Sequence, residues 1–240
     1  MEGDAFGRVL LERLEGGDAL EVVERDDGFI LPGCGPAFFA PVRRWSASER
    51  QALRAVRGRV LDVGCGAGRV LLELERRGRE VVGIDPSPLA VDVCRRRGAR
   101  DVRVARLEDV DASFGVFDTV VMYGNNLSLL GSVTKGRQLL RRLAAVTSEH
   151  GRIVGSTLDP YETNDPSHLA YHRRNRERGQ MGGQIRLRIR YHELATPWFD
   201  YLFLSRDELR DLVDGTGWRL ARTIDDGPGY VAVLEKRPAS

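Results

Sequence analysis

Residues 60 to 69 read Val60-Leu61-Asp62-Val63-Gly64-Cys65-Gly66-Ala67-Gly68-Arg69. An apolar run that closes on an acid suits a strand buried on both faces, as in a parallel sheet. Glycines on alternate positions follow, and they make a turn whose backbone N–H groups can approach a ligand closely at the start of a helix. The helix itself is marked by Val70, Leu71, Leu72 and Leu74. This stretch therefore predicts a strand, a cofactor-holding turn and a helix, in that order.

The glycine spacing excludes one reading. A dinucleotide fingerprint is G-x-G-x-x-G/A, and here the third glycine comes one residue early. Asp62, Gly64, Gly66 and Gly68 instead resemble the first motif of the class I S-adenosylmethionine-dependent methyltransferases, an acidic residue followed by G-x-G-x-G at the end of the first core strand. The resemblance implies a Rossmann-like, doubly wound α/β fold with a seven-stranded, mostly parallel sheet and an antiparallel C-terminal strand. It also implies S-adenosyl-L-methionine as cofactor and S-adenosyl-L-homocysteine as product.

More of the pattern follows. Val81-Val82-Gly83-Ile84-Asp85 is a second apolar run ending in an acid, which completes a β-α-β unit. An ionised carboxylate offers only acceptor sites, so Asp85 suits a pair of ribose hydroxyls, with Pro86 beside it. Ser87 and Pro88 supply the cap and first turn of the next helix, leaving Asp85 for the cofactor. The third strand, Val102 to Ala105, leads to Arg106 where many relatives carry an acid. The adenine contact then falls to Glu108, Asp109 or the Leu107 backbone. Phe117 to Tyr123 resembles the family's fourth strand and ends in Gly124-Asn125-Asn126, a tip that in relatives faces the transferable methyl group. Tyr123 and Gly124 are accordingly expected near the cofactor, and Tyr123 and Asn126 near the acceptor. Cys65 is expected to fit its small side chain against the cofactor.

The C-terminal part agrees. Ser205 and Glu208 form a capping box before Leu209, Leu212 and Val213. Residues 218–224 and 230–234 predict two strands joined by a turn at 225–229.

The chain has 240 residues, 42% of them hydrophobic, which suits one α/β domain with insertions. The expected division is an N-terminal lid segment (1–57), a cofactor core (58–158), an acceptor-side insertion (159–204) and a C-terminal helix with two strands (205–240). The sequence has neither a membrane-length apolar stretch nor a signal-peptide head, so a cytoplasmic protein is expected. Three cysteines, Cys34, Cys65 and Cys94, with no C-x-x-C pair, predict reduced thiols and no metal site.

Two regions lie outside the core. The first predicts an amphipathic helix on Phe6, Val9, Leu10 and Leu14, then a hairpin turning at Asp27-Gly28. Phe29, Phe38, Phe39 and Trp45 either roof the methyl end of the cofactor or pack this segment onto the core. In the second, residues 184–192 alternate strictly. Ile185, Leu187, Ile189 and Tyr191 face one way and Arg186, Arg188, Arg190 and His192 the other, as in a half-buried strand with a cationic outer face. Residues 198–204 are its expected partner, and the basic face reads as a solvated edge.

Methyl transfer from a sulfonium requires alignment and exclusion of water, with a base only where the nucleophile arrives protonated. His168, His172 and His192 are the candidates for that base, and His168 and His172 share one helix face. The expected acceptor is a small molecule. A net charge of +2 and the lack of an RNA-binding module weigh against RNA. An RNA or protein methyltransferase and an inactive, cofactor-holding partner subunit are the competing readings. No membrane partner is expected, and a homo-oligomer is compatible with the sequence.

Overall fold

The computed structural model describes residues 2–237. In chain order its elements begin α1 (Ala5–Leu14), β1 (Val22–Arg25), β2 (Ile30–Pro32), α2 (Ala47–Ala52), β3 (Val60–Val63), α3 (Arg69–Arg76), β4 (Val81–Asp85), α4 (Pro88–Arg96) and β5 (Val102–Val104). They continue with β6 (Phe117–Met122), α5 (Val133–Ala145), β7 (Thr147–Leu158), α6 (Pro166–Glu177), β8 (Gln184–Tyr191) and β9 (Leu194–Ala195). The last are β10 (Phe199–Leu202), α7 (Arg206–Val213), β11 (Trp218–Asp226) and β12 (Gly229–Lys236).

Seven strands form the main sheet, in the order β11-β12-β7-β6-β3-β4-β5. The pairs β3-β4, β4-β5 and β6-β7 are parallel, while β12 runs antiparallel to β7 and β11. This is the doubly wound α/β architecture expected. Every residue of β3 and β4 is buried, so their sequences are apolar runs without alternation.

The chain forms two compact units. The first comprises the described residues up to 45, together with 59–109 and 186–199. In it α1 starts at Asp4, whose Oδ1 accepts the Gly7 N–H at 2.8 Å. Its Leu10 and Leu11 pack with Ala90 and Val93 of α4, and Phe6, Phe38, Phe39 and Leu89 close over that cluster. As expected, Ser87 caps α4 by accepting the Ala90 N–H, with Pro88 in the first turn. The hairpin of β1 and β2 turns through Gly28 at φ +88°.

A second sheet runs β10-β8-β1-β2, with β9 also paired to β8. The partner expected for β8 is thus present, yet β8 is an interior strand, not a solvated edge. Part of its cationic charge is offset across the pairing: Arg188 lies opposite Glu24 and binds it at 2.9 Å, and Arg190 reaches the same carboxylate at 3.2 Å. Arg188 also covers the Trp198 ring, 4.6 Å from its centroid. The alternation stops at Tyr191, because His192 turns with φ +48° and stacks edge-on against Tyr191.

The second unit comprises 46–58, 110–185 and the described residues from 200 onward. The capping box is formed: the Ser205 side chain accepts the Glu208 N–H and the Glu208 carboxylate accepts the Ser205 N–H. Trp218 on β11 is fully buried and donates Nε1–H to the Leu140 carbonyl at 2.8 Å, satisfying its one polar atom. The hairpin is tighter than expected, since β11 runs to Asp226 and β12 restarts at Gly229.

Candidate cofactor site and acceptor side

The tips of β3 and β4 are joined by one carboxylate. Asp85 Oδ2 accepts the Gly66 N–H and Oδ1 accepts the Ser87 N–H, both at 2.9 Å. Ser87 therefore caps α4 with its hydroxyl yet does not leave Asp85 free, as the sequence reading assumed. Gly64 and Cys65 both donate backbone N–H to the Ile84 carbonyl, at 2.8 and 3.0 Å, which folds the turn back onto β4. Gly66 and Gly68 sit at φ +55° and +79°, where a side chain would be strained. A Cβ on Gly68 would also lie 2.9 Å from the Cys94 sulfur.

Asp62 is buried at the end of β3, and its Oδ2 has no hydrogen-bond partner among the described residues. Burial pushes its pKa up to about 7, with the Arg69 charge opposing. Burial likewise lifts Asp85 to about 6 against the lowering effect of the Ser87 and Gly66 N–H groups. Cys65 does not turn outward. Its sulfur lies 3.9 Å from that of Cys94, whose thiol donates to the Gly66 carbonyl at 3.1 Å. The Cys94 contact and burial both raise the Cys65 thiol, so it is a neutral packing group and not a nucleophile.

Above Gly66 stands Phe6, whose ring would be 3.6 Å from a Cβ there. The aromatics nominated as a roof have other tasks. Phe38 packs edge-on against Phe6 at 5.1 Å, Phe39 lies under Arg97, Phe29 under Arg25, and Trp45 under Arg69. Sequence reasoning missed the anchor of this helix. Asp4 Oδ2 accepts the Ser87 hydroxyl at 2.7 Å and the Leu89 N–H at 3.2 Å, so α1 is pinned to the start of α4. A D-x-x-G start before an apolar-periodic helix is the signal for the cap; nothing local signals its second partner. At the adenine segment, Leu107–Asp109 is a single 3-10 turn with Leu107 buried and Glu108 partly exposed, beyond the exposed Pro86. Asp109 is occupied by the Arg106 N–H at 2.8 Å.

In the second unit, the tip of β6 is held by two side chains. Gly124 N–H donates to Glu49 Oε1 at 3.2 Å and Asn125 N–H to Ser156 Oγ at 3.0 Å. Tyr123 is buried, and its hydroxyl donates to the Glu49 carbonyl at 3.2 Å. Gly124 and Asn125 both adopt φ near +65° to +70°, at +69° and +66°, which presents Asn126 at the start of a 3-10 turn. The Asn126 Oδ1 accepts the Tyr201 hydroxyl at 3.2 Å. Glu49 and Tyr201 were not foreseen. His168 and His172 do lie one turn apart on α6. His168 is partly exposed, whereas His172 is buried edge-on against Tyr161, 5.6 Å between centroids. Tyr161 in turn donates to Glu208, and burial followed by that bond pushes its pKa up to about 12.

Residues 60–151 match the methyltransferase-domain family. That stretch is a methyltransferase domain. The whole chain is also similar to an S-adenosylmethionine-dependent methyltransferase of Bacteroides fragilis, solved in complex with S-adenosyl-L-homocysteine. That likeness has a TM-score of 0.82 at 25% identity and covers 97% of this chain and 94% of the other. Ubiquinone biosynthesis O-methyltransferases are similar over a shorter stretch. The one from Methylocella silvestris is 31% identical over 117 residues, 46% of this chain and 44% of the relative. The one from Xanthomonas euvesicatoria is 34% identical over 125 residues, half of each chain. The chain thus spans about half the length of these curated relatives.

The cofactor of a class I methyltransferase domain is S-adenosyl-L-methionine, and the residues present fit it. The cradle holds a buried carboxylate oxygen on Asp62 with no hydrogen-bond partner among the described residues, which suits a ligand donor group. Asp85 spends one site of each oxygen on backbone N–H and keeps acceptor capacity for two hydroxyls. Among the described residues no cluster of His, Cys, Asp and Glu is arranged to hold a metal, and no helix is long and apolar enough to cross a membrane.

Proposed function

We propose that the protein is an enzyme that transfers a methyl group from S-adenosylmethionine to a small-molecule acceptor by in-line displacement. The observation that carries this is the pair of buried carboxylates, Asp62 and Asp85, at neighbouring strand tips around a glycine turn. S-adenosylmethionine supplies an activated methyl, which an acceptor lone pair takes as the carbon–sulfur pair returns to sulfur, leaving S-adenosylhomocysteine. The chain's own groups bind and align. In this reading Asp85 takes the ribose hydroxyls, and Asp62 a donor of the amino-acid end. The backbone at Gly64, Cys65, Gly66 and Gly68 permits close approach. Pro86, Leu107 and Glu108 border the adenine. Tyr123, Gly124 and Asn126 serve the methyl end, and His168 or His172 removes a proton where the acceptor carries one; the partly exposed His168 is the better reached of the two.

We assign the four sequence segments to one catalytic domain, with 1–57 as lid and 159–204 on the acceptor side. A small acceptor is favoured over a polyanion because Glu24 pairs with both Arg188 and Arg190 and so offsets part of the charge of the basic strand. Three free cysteines suit the reducing cytoplasm. Incubation with S-adenosylmethionine labelled in the methyl group, and with separated metabolite, RNA and protein fractions of a bacterial lysate, tests the reading. Label is expected in the metabolite fraction; label confined to RNA or protein contradicts it.

A further inference from the structure

At the amino end of β6 and β7, the reverse of the end where open α/β sheets bind ligands, the second unit gathers Arg57, Arg152, Arg219 and Arg222 beside Glu235. We propose that these four arginines bind the phosphate group of a small metabolite, at a site that shares no residue with the cofactor cradle. The inference is independent of the methyl-transfer reading.

Three observations support it. First, a β-bulge aims the charges. Arg152 of β7 lies opposite Glu235 of β12, and Glu235 lies opposite Arg219 of β11. Arg219 and Arg222, three residues apart, would face opposite ways in a regular strand. The register shifts between Leu220 and Arg222, however, so Arg222 pairs with Val233 and both arginines share the face of Glu235. Second, Arg57 is fastened beside Arg152. Its N–H donates to Thr119 Oγ1 at 3.0 Å, its carbonyl accepts the Thr119 hydroxyl at 2.8 Å, and Thr119 pairs with Arg152 in the β6–β7 register. Third, the charge of Arg152 is only partly balanced. Its side chain is 17% exposed, and Glu235, 3.8 Å away, also binds Arg219. Arg152 Nη1 donates to the Ala55 carbonyl at 3.2 Å, while its Nε has no hydrogen-bond partner among the described residues. Burial, and then the charges of Arg57 and Arg222 against that of Glu235, holds this guanidinium below its ordinary value.

Basic side chains on an edge strand prevent pairing with another chain, which would account for Arg219 and Arg222 on β11. Arg152 lies on β7, between β12 and β6, where no edge needs a guard. A doubly charged phosphate offsets the excess of guanidinium charge and matches the planar donor fork with pairs of oxygens. One sunken donor among three exposed ones suits a single terminal phosphate, whereas a polynucleotide is bound along a stripe of exposed charge.

The test titrates the full chain by calorimetry with inorganic phosphate and with pyrophosphate, against sodium chloride at matched ionic strength. Saturable binding of both anions is expected, and saturating S-adenosylhomocysteine should change their affinity by less than about twofold. Arg57 and Arg222 are exposed, so replacing them spares the core. Arg222→Gln should weaken binding by about tenfold, and Arg57→Gln combined with Arg222→Gln by about 100-fold, as the loss of one and of two charged hydrogen bonds entails. Four results overturn the inference. They are no saturable binding beyond the chloride control, equal affinity in the double variant, displacement of the anion by S-adenosylhomocysteine, and tighter binding of a single-stranded oligonucleotide than of pyrophosphate. Displacement would put the anion in the cofactor cradle, and preference for the oligonucleotide would make the patch a polynucleotide site.

Discussion

The cofactor cradle and the acceptor side use buried polar groups alike but assemble them from different distances along the chain. In the cradle, Asp85 binds residues 19 and 2 positions away. On the acceptor side, Glu49 reaches Gly124 across 75 positions, Tyr201 reaches Asn126 across 75, and Tyr161 reaches Glu208 across 47. One β-α-β unit makes the first site nearly alone; the second exists only after distant segments are brought together. On the proposed reading, the donor site can be damaged by local changes that spare the acceptor side, and the reverse.

The largest effect is expected from Gly66→Asp. It forces a side chain onto a residue at φ +55° and into the space under Phe6, and should weaken S-adenosylhomocysteine binding by about 100-fold or more. Titration calorimetry checks this; equal binding would show that the turn does not hold the cofactor. Next comes pH. Asp62 and Asp85, lifted to about 7 and about 6, carry protons below those values and then lose acceptor sites. Affinity should fall by about tenfold between pH 8 and 5.5. Stability runs the other way: a raised folded pKa means that the native state binds more protons, so the ligand-free protein becomes more stable, from these two groups, as pH falls through that window. Opposite trends in affinity and thermal midpoint are the signature, and parallel trends would remove these carboxyls from the account.

A smaller effect is expected from Asp4→Ala, which uncaps α1 and frees the Ser87 hydroxyl and the Leu89 N–H. The cost is about 1–2 kcal/mol, or about 3–6 °C in thermal midpoint. Scanning calorimetry with and without S-adenosylhomocysteine would detect it. Smallest of all is His168→Ala, for which affinity for S-adenosylhomocysteine should stay within about twofold. A large loss there would erase the distinction between the two regions.

Legibility in the sequence follows the same division. Strand tips at Asp62 and Asp85, the caps at Ser87 and Ser205 and the terminal hairpin are local patterns; the tips and caps stand where their residues predict, and the hairpin differs only in having a shorter turn. The basic strand reads as an edge because alternation reports which way side chains face and not what lies beside the strand; Glu24 supplies the missing half. Phe38 and Phe39 are apolar whether they roof a ligand or pack a helix, and only the fold selects the second. Glu49 and Tyr201 carry no local signal at all, since their partners are fixed by tertiary contacts.

The central claim is that the glycine turn and Asp85 hold S-adenosylmethionine, and titration of wild type and Asp85→Ala with S-adenosylhomocysteine at pH 8 tests it most directly. Saturable binding is predicted for the wild type, weakened by at least about tenfold in the variant, as loss of hydrogen bonds to a charged group entails. No heat of binding in the wild type, or equal affinity in the variant, would contradict the claim.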